Sequence, residues 1–239
     1  MNAVVARLTA GELLGRRRGV VLVILPAVML LLAVLARSAD EPVKVTILTI
    51  VAFSLVVPLL GLVLGTGAIA SEIDDGSIVY LLAKPMSRYA IATTKVVVAA
   101  AVTVALAAVP TWAAALVLGL STDVAIAFAL AAALAGICYA AVFVLLSVAT
   151  RSAVVFGLLY ALVWEGVVGG FVPGARVLSV QQWALGVAEG VLGPAAAADI
   201  GLDAAVGATT GLLLMTGVTL GATWYAGQLL RTLRVTGDG

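Results

Sequence analysis

No charged residue stands between Lys95 and Asp123, and none between Asp123 and Arg151. Such runs must sit in a very large core or in lipid. An α-helix rises 1.5 Å per residue, so about 20 apolar residues cross a hydrocarbon layer of about 30 Å. Composition decides between the two. Only 10% of the 239 residues are charged and 64% are hydrophobic, whereas a soluble domain carries about 25% charged residues. There are too few charges to coat a water-facing surface. The expected fold is a single all-α, polytopic membrane domain covering 1–239.

Six apolar segments read as transmembrane helices: 20–36, 45–70, 91–120, 124–149, 153–172 and 204–226. Pro26, Pro58 and Pro110 fall inside three of them, which is tolerable where neighbouring helices re-satisfy the freed backbone groups. The first run follows basic residues, but no cleavage site and hydrophilic domain come after it, so it reads as a retained span. With a cytoplasmic N-terminus, most of the 13 Lys and Arg residues lie inside, and only Arg37, Lys44 and Arg176 lie outside. That bias satisfies the positive-inside rule, and six spans return the C-terminus to the cytoplasm. The Ala, Val, Gly and Arg bias suits a GC-rich bacterial genome, so the expected location is a bacterial plasma (inner) membrane.

Two flanking segments are amphipathic. Residues 1–19 place Val4, Val5, Leu8, Leu13 and Leu14 beside Arg16–Arg18, which suggests an interfacial helix on the inner surface; a solvated basic arm is the alternative. In 173–203, Ser179, Gln182, Gly186, Glu189 and Gly193 recur at helical spacing opposite an apolar side. This predicts an extracellular helix with one wet stripe, lying at the outer interface or dipping back into the protein.

Several functions are excluded. A net charge of +1 gives no basic patch for nucleic acid. One cysteine makes no intrachain disulfide. With no histidine, the common nitrogen and sulfur metal sites and His-based triads are gone. No lysine follows a glycine, so the chain carries no P-loop of its own. No metal and no catalytic residue are expected here.

Charge concentrates instead in Ser71–Lys95, SEIDDGSIVYLLAKPMSRYAIATTK. As chemistry, Asp75–Gly76 could begin a Mg²⁺ site of a lipid phosphotransferase. The Ala-Arg that should follow is missing, and the next aspartate, Asp123, lies across the membrane. As structure, Gly76 breaks the outgoing helix, Ser77–Ala83 makes two turns with Ile78, Leu81 and Leu82 on one side, and Pro85 stops it. Ser87 then caps the next helix. From the residues alone, a crosswise docking helix and a solvated topology loop both stay open.

The order Glu72, Gly76–Ser77, Leu81–Leu82, Lys84–Pro85, Ser87–Arg88 and Lys95 resembles the loop between spans two and three of type-2 ABC transporter permeases. The six-span plan, the N-terminal interfacial helix and Trp164–Glu165 before an extracellular helical segment resemble that family too. The resemblance implies an exporter permease that does no covalent chemistry and binds no cofactor itself. ATP and Mg²⁺ would be bound by partner ABC ATPase subunits, and the permease would pair with a second copy or a paralogue. It further implies a cytoplasmic coupling helix within the loop 71–90, with Glu72, Asp75, Gly76, Ser77, Ile78, Leu81, Leu82, Pro85, Ser87 and Arg88 at the ATPase contact and Leu81 and Leu82 as anchors. Asp74 and Asp75 exceed the family pattern. Spans two and five would line the substrate path, which makes Ser54, Pro58, Gly61, Gly65 and Thr66 candidates beside Trp164 and Glu165.

A charged side chain at membrane depth costs about 3 kcal/mol on insertion scales and usually faces a cavity or a partner. Glu165 is therefore either a polar gate or substrate contact, or a structural hydrogen-bond partner of the outer helical segment, with its carboxyl ionised or protonated. Gly207-x3-Gly211 and Gly217-x3-Gly221 permit close helix approach, expected within the chain rather than between copies. Other classes stay in view: a secondary transporter with Glu165 as its ion site, and a non-transporting assembly or regulatory subunit on the same scaffold. The substrate class (drug, lipid or peptide-like) is not encoded in any motif.

Overall fold

The computed structural model describes residues 16–69, 87–168 and 174–232; among these, every regular element is a helix. Eight of the ten expected ATPase-contact residues, Glu72, Asp75, Gly76, Ser77, Ile78, Leu81, Leu82 and Pro85, lie outside the described residues, as does 2–15 of the interfacial segment.

The order is α1 (Arg16–Leu35), α2 (Glu41–Gly67), α3 (Arg88–Val117), α4 (Thr122–Ala149), α5 (Ala153–Leu159, continuing as a π-helix over Tyr160–Val168), a single 3₁₀ turn (Arg176–Leu178), α6 (Val180–Leu192), α7 (Pro194–Asp199) and α8 (Ala208–Thr232). Each of the six expected segments contains a helix among its described residues, the last becoming helical only at Ala208. By length and composition, α2, α3 and α4 can cross a membrane, while Gly19–Leu35 and Ala153–Val167 are shorter apolar helices. Arg16–Arg18, expected to close the interfacial helix, instead belong to the first turn of α1.

Local chemistry explains the breaks. Ser87 caps α3, its hydroxyl accepting from Ala90 N at 3.2 Å, as its position predicts. α3 ends at a left-handed glycine, Gly119, with φ of 79°. Gly119 N donates to Leu116 O and Leu120 N to Ala115 O, so two otherwise orphaned carbonyls are satisfied. Ser121 at once caps α4, accepting from Val124 N, and this short link folds α3 and α4 back on each other. Within α2, Ile50–Val56 is π-helical and α-helical bonding resumes at Val57, with Pro58 next. Pro58 cannot donate to the carbonyl four residues back and its ring would clash there; the widened turn sits just before that position.

α4 is the central post, packed by α2, α3, α6 and α8. Its approach to α2 is set by two glycines. A Cβ at Gly61 would lie 2.6 Å from Tyr139 Cβ, and one at Gly65 would lie 2.7 Å from Phe143 Cβ and 3.0 Å from Ala140 O. This small-x3-small seam lets the two backbones touch. Of the glycines expected to pack α8, Gly211 alone does so, against the Trp183 backbone; a Cβ added at Gly207, Gly217 or Gly221 would meet no neighbour within 4 Å. Outward faces of α1, α5 and α8 carry exposed Val23, Leu31, Val155, Phe156, Leu213 and Leu220.

The ends of the bundle are chemically distinct. Ile91 of α3 and Ala226 and Leu230 of α8 cluster with Val148 of α4, and Arg231 stacks over the Tyr89 ring at 5.9 Å. That end collects Arg88, Arg151 and Arg231. At the opposite end, Glu41, Asp123 and Asp199 line one open cavity.

The Gly65 seam leaves no room for a side chain, and overpacking a core costs typically 1–3 kcal/mol. Gly65→Val is expected to lower the unfolding midpoint in detergent by a corresponding amount, and Gly217→Val to leave it unchanged. Thermal or denaturant unfolding of both variants checks the contrast.

Candidate functional site

Glu165 sits on the π-helical continuation of α5 and is 1% exposed. Both of its oxygens accept twice. Oε1 takes Tyr160 Oη at 2.9 Å and Val180 N at 3.1 Å; Oε2 takes Ser179 Oγ at 2.5 Å and Gln181 N at 3.3 Å. Val180 and Gln181 are the first two residues of α6, whose opening N–H groups have no partner within the helix. The third is served by Ser179, the N-cap, whose Oγ accepts from Gln182 N at 3.4 Å. Glu165 thus acts as a cap supplied from another helix. A negative group at a helix N-terminus is favoured by the helix dipole, and charge-assisted bonds are about twice as strong as neutral ones. These gains offset the cost of a buried acid.

The same helix end is tied to α2. Ser54, in the π-helical part of α2, donates to Gln181 Oε1 at 2.9 Å. Gln181 therefore bridges α2 to the residue that Glu165 caps. Both π-helical stretches pack against each other beside this junction, and π turns are frequent where a helix carries a functional group.

Within 173–203 the helix runs Val180–Leu192 and ends at Gly193. It packs back into the protein, the second of the two expected placements, and the stripe expected to be wet is largely buried: Ser179, Gln182 and Gly186 are all covered. Gln182 Oε1 accepts from Ala205 N at 3.1 Å and from Arg176 Nη2 at 3.4 Å, and Glu189 Oε2 accepts from Ala204 N at 3.3 Å. Protein donors replace water along that side, while α6 packs on α4 and α8. Trp183 Nε1 donates back to Val177 O at 2.6 Å.

Of the expected path residues, Glu165 and Ser54 come together through Gln181. Trp164 is half-buried beside Glu165, and Pro58 is buried one turn beyond Ser54. Thr66 is buried farther along α2 and donates to Leu62 O at 2.6 Å. Gly61 and Gly65 face α4. Gln181 was not singled out by sequence; its one signal is a polar pair, Gln181–Gln182, directly after a cap serine in an apolar stretch. Of the expected ATPase-contact residues, Ser87 is exposed and Arg88 is half-buried, one of its guanidinium nitrogens, Nη1, buried without a hydrogen bond to any of the described residues.

A family model described as an ABC-2 family transporter protein matches residues 26–189, from within α1 to within α6, so the match includes Ser54, Glu165 and Gln181. No curated protein matches the chain.

Glutamine at position 165 would keep one acceptor oxygen and turn an NH₂ group toward two donors. Hydrogen bonds to charged groups are worth about 1.5–3 kcal/mol each. Glu165→Gln is expected to destabilise the protein by about 2–4 kcal/mol on that scale, and Gln181→Ala by about 1 kcal/mol, read from unfolding midpoints in detergent. Hydrogen exchange of the α6 amides should rise in Glu165→Gln.

Proposed function

The chain belongs to the ABC-2 transporter permease family and is the membrane subunit of an ABC transporter, and on that premise we propose that it is an exporter permease driven by a separate ABC ATPase. The observation that carries the reading is the family match, which runs from within α1 to within α6 and takes in the loop between α2 and α3. In this reading six helices cross a bacterial plasma membrane: α1 to α5 and α8. Both termini are cytoplasmic. The basic end of the bundle faces the cytoplasm and the acidic end faces out, in keeping with the positive-inside rule.

The loop 71–90 is then the coupling element, its crosswise helix docking through Leu81 and Leu82 on an ATPase that holds ATP and Mg²⁺. Two permeases, identical or paralogous, enclose the path. Spans two and five contribute to it, and the junction of Ser54, Gln181 and Glu165 sits where the two approach. Glu165 works there as a structural gatepost: it keeps α6 seated against α2 and closes the outer half while the inner half is open. An ion site of a secondary transporter is less well supported, since both carboxyl oxygens already accept two bonds from the protein. The apolar span faces suit a drug, lipid or peptide-like cargo and do not select among these.

Leu81→Asp is expected to abolish co-purification of the ATPase in mild detergent while membrane insertion stays at the wild-type level; association of unchanged strength rejects docking through this loop. Orientation has its own check. Asp123→Cys is expected to react with a membrane-impermeant maleimide in intact cells, and Ser87→Cys only after permeabilisation, against a low background because the native Cys138 is buried.

A further inference from the structure

Lys95 is the only lysine or arginine with a fully buried side chain among the described residues. It lies seven residues into α3, about 10 Å from the helix start at 1.5 Å per residue. Its Nζ donates to Ala68 O at 2.5 Å. Ala68 is the C-cap of α2, so the ammonium reaches one of the last carbonyls of that helix, which its own helix cannot satisfy. A cation at a helix C-terminus is also favoured by the dipole. Lysine is almost never fully buried unless paired, and a Met of similar length would fill the same space without the cost of burying a charge. Beyond packing, one thing the lysine adds is a directional bond between two helices at one point.

That point is where the loop is rooted. α2 delivers the chain to Ile69, and α3 receives it at Ser87. α2 and α3 already pack against each other, and Lys95 adds a directional tie at their loop ends. With Lys95 in place, the end of α2 and the first turns of α3 move together. From Ala68, α2 runs about 20 Å, at 1.5 Å per residue, to Ser54, whose bond to Gln181 leads to the Glu165 cap.

We infer that Lys95 is a positioning residue for energy coupling: its bond to the Ala68 carbonyl joins both roots of the loop, so that displacement of the loop by the ATPase is delivered to α2 and α3 as one unit. This rests on the proposed docking of that loop on an ATPase. The lysine touches neither ATP nor cargo. Its role is distinct from the loop's own contact residues, whose loss would prevent binding.

The test uses the full complex of the chain with its ATPase. Spin labels at Glu41→Cys and Asp123→Cys, both exposed at the outer ends of α2 and α4, report the outer half before and after trapping with ATP, Mg²⁺ and vanadate. Wild-type Lys95 is expected to give a shift in the distance distribution on trapping. In Lys95→Met, ATPase retention and ATP turnover are expected to persist, while the shifted population falls about tenfold, within the usual 5–150-fold range of coupling between sites. Lys95→Arg, which keeps a cationic donor, is expected to recover most of it. A full shift in Lys95→Met overturns the inference. So does an equal loss in Lys95→Arg and Lys95→Met accompanied by equal loss of thermal stability, which would mark a purely structural residue. If Lys95→Met does not insert, Lys95→Gln, a shorter neutral donor, takes its place with the same two outcomes. A wild-type chain that retains no ATPase at all overturns the function reading itself, and is told apart because it appears before any substitution is made.

Discussion

A polar atom at membrane depth has no water to turn to, so every one must find its partner within the protein. This constraint governs the whole chain. Each unsatisfied group would cost several kcal/mol in hydrocarbon, more than a marginally stable fold can spare repeatedly. Among the described residues the structure meets most of the requirement by helices, and then at the places where helices begin, end or widen, while Thr111 Oγ1 and Tyr139 Oη are buried without a hydrogen-bond partner. The first N–H groups of α6 are met by Glu165 and Ser179; a terminal carbonyl of α2 is met by Lys95. Among the described residues, the buried acid Glu165 thus sits at a helix N-terminus and the buried base Lys95 at a helix C-terminus. Their burial follows from backbone accounting as much as from any role in transport.

Because these ions close helix ends, they also fix how helices sit on one another. Glu165 fastens α6 to α5, and Gln181 extends the connection to Ser54 on α2. Lys95 fastens α2 to α3 at the other end of α2. The glycine seam at Gly61 and Gly65 holds the length between them against α4. α2 is therefore tied at its loop end, at its middle and at its π-helical stretch. A permease must carry motion from a cytoplasmic partner to an outer gate, and a helix fixed to different neighbours at its loop end and at its middle is suited to that.

Sequence reading recovered the helices because long uncharged runs admit little else, and it recovered the Ser87 cap because N-capping is a local property. It left open what satisfies a polar residue. Ser179, Gln182 and Glu189 show helical spacing whether water or protein meets them, so the stripe read as wet although Ala204, Ala205 and Glu165 supply the partners. Lys95 read as a topology charge because a basic residue near a helix start looks the same exposed or buried. Gln181 fell on the apolar side of α6 and drew no notice. The π-helical turns have no compositional mark; Pro58 hinted at a break without saying that the helix would widen before it. Which glycines pack was also hidden: Gly61 and Gly65 do, while the equally spaced Gly217 and Gly221 do not, since spacing records a permissive face and only the neighbouring helix decides its use.

In the proposed reading, transport by this bundle turns on the loop between α2 and α3 acting as the handle by which an ATPase moves it. The most direct measurement is a cryo-electron microscopy structure of the chain purified with its ATPase and trapped with ATP, Mg²⁺ and vanadate. Residues 71–86 are expected to be seated in a groove of the ATPase, with Leu81 and Leu82 covered and the Lys95–Ala68 bond intact. An ATPase bound elsewhere on the chain, with that loop free of it, would contradict coupling through this loop.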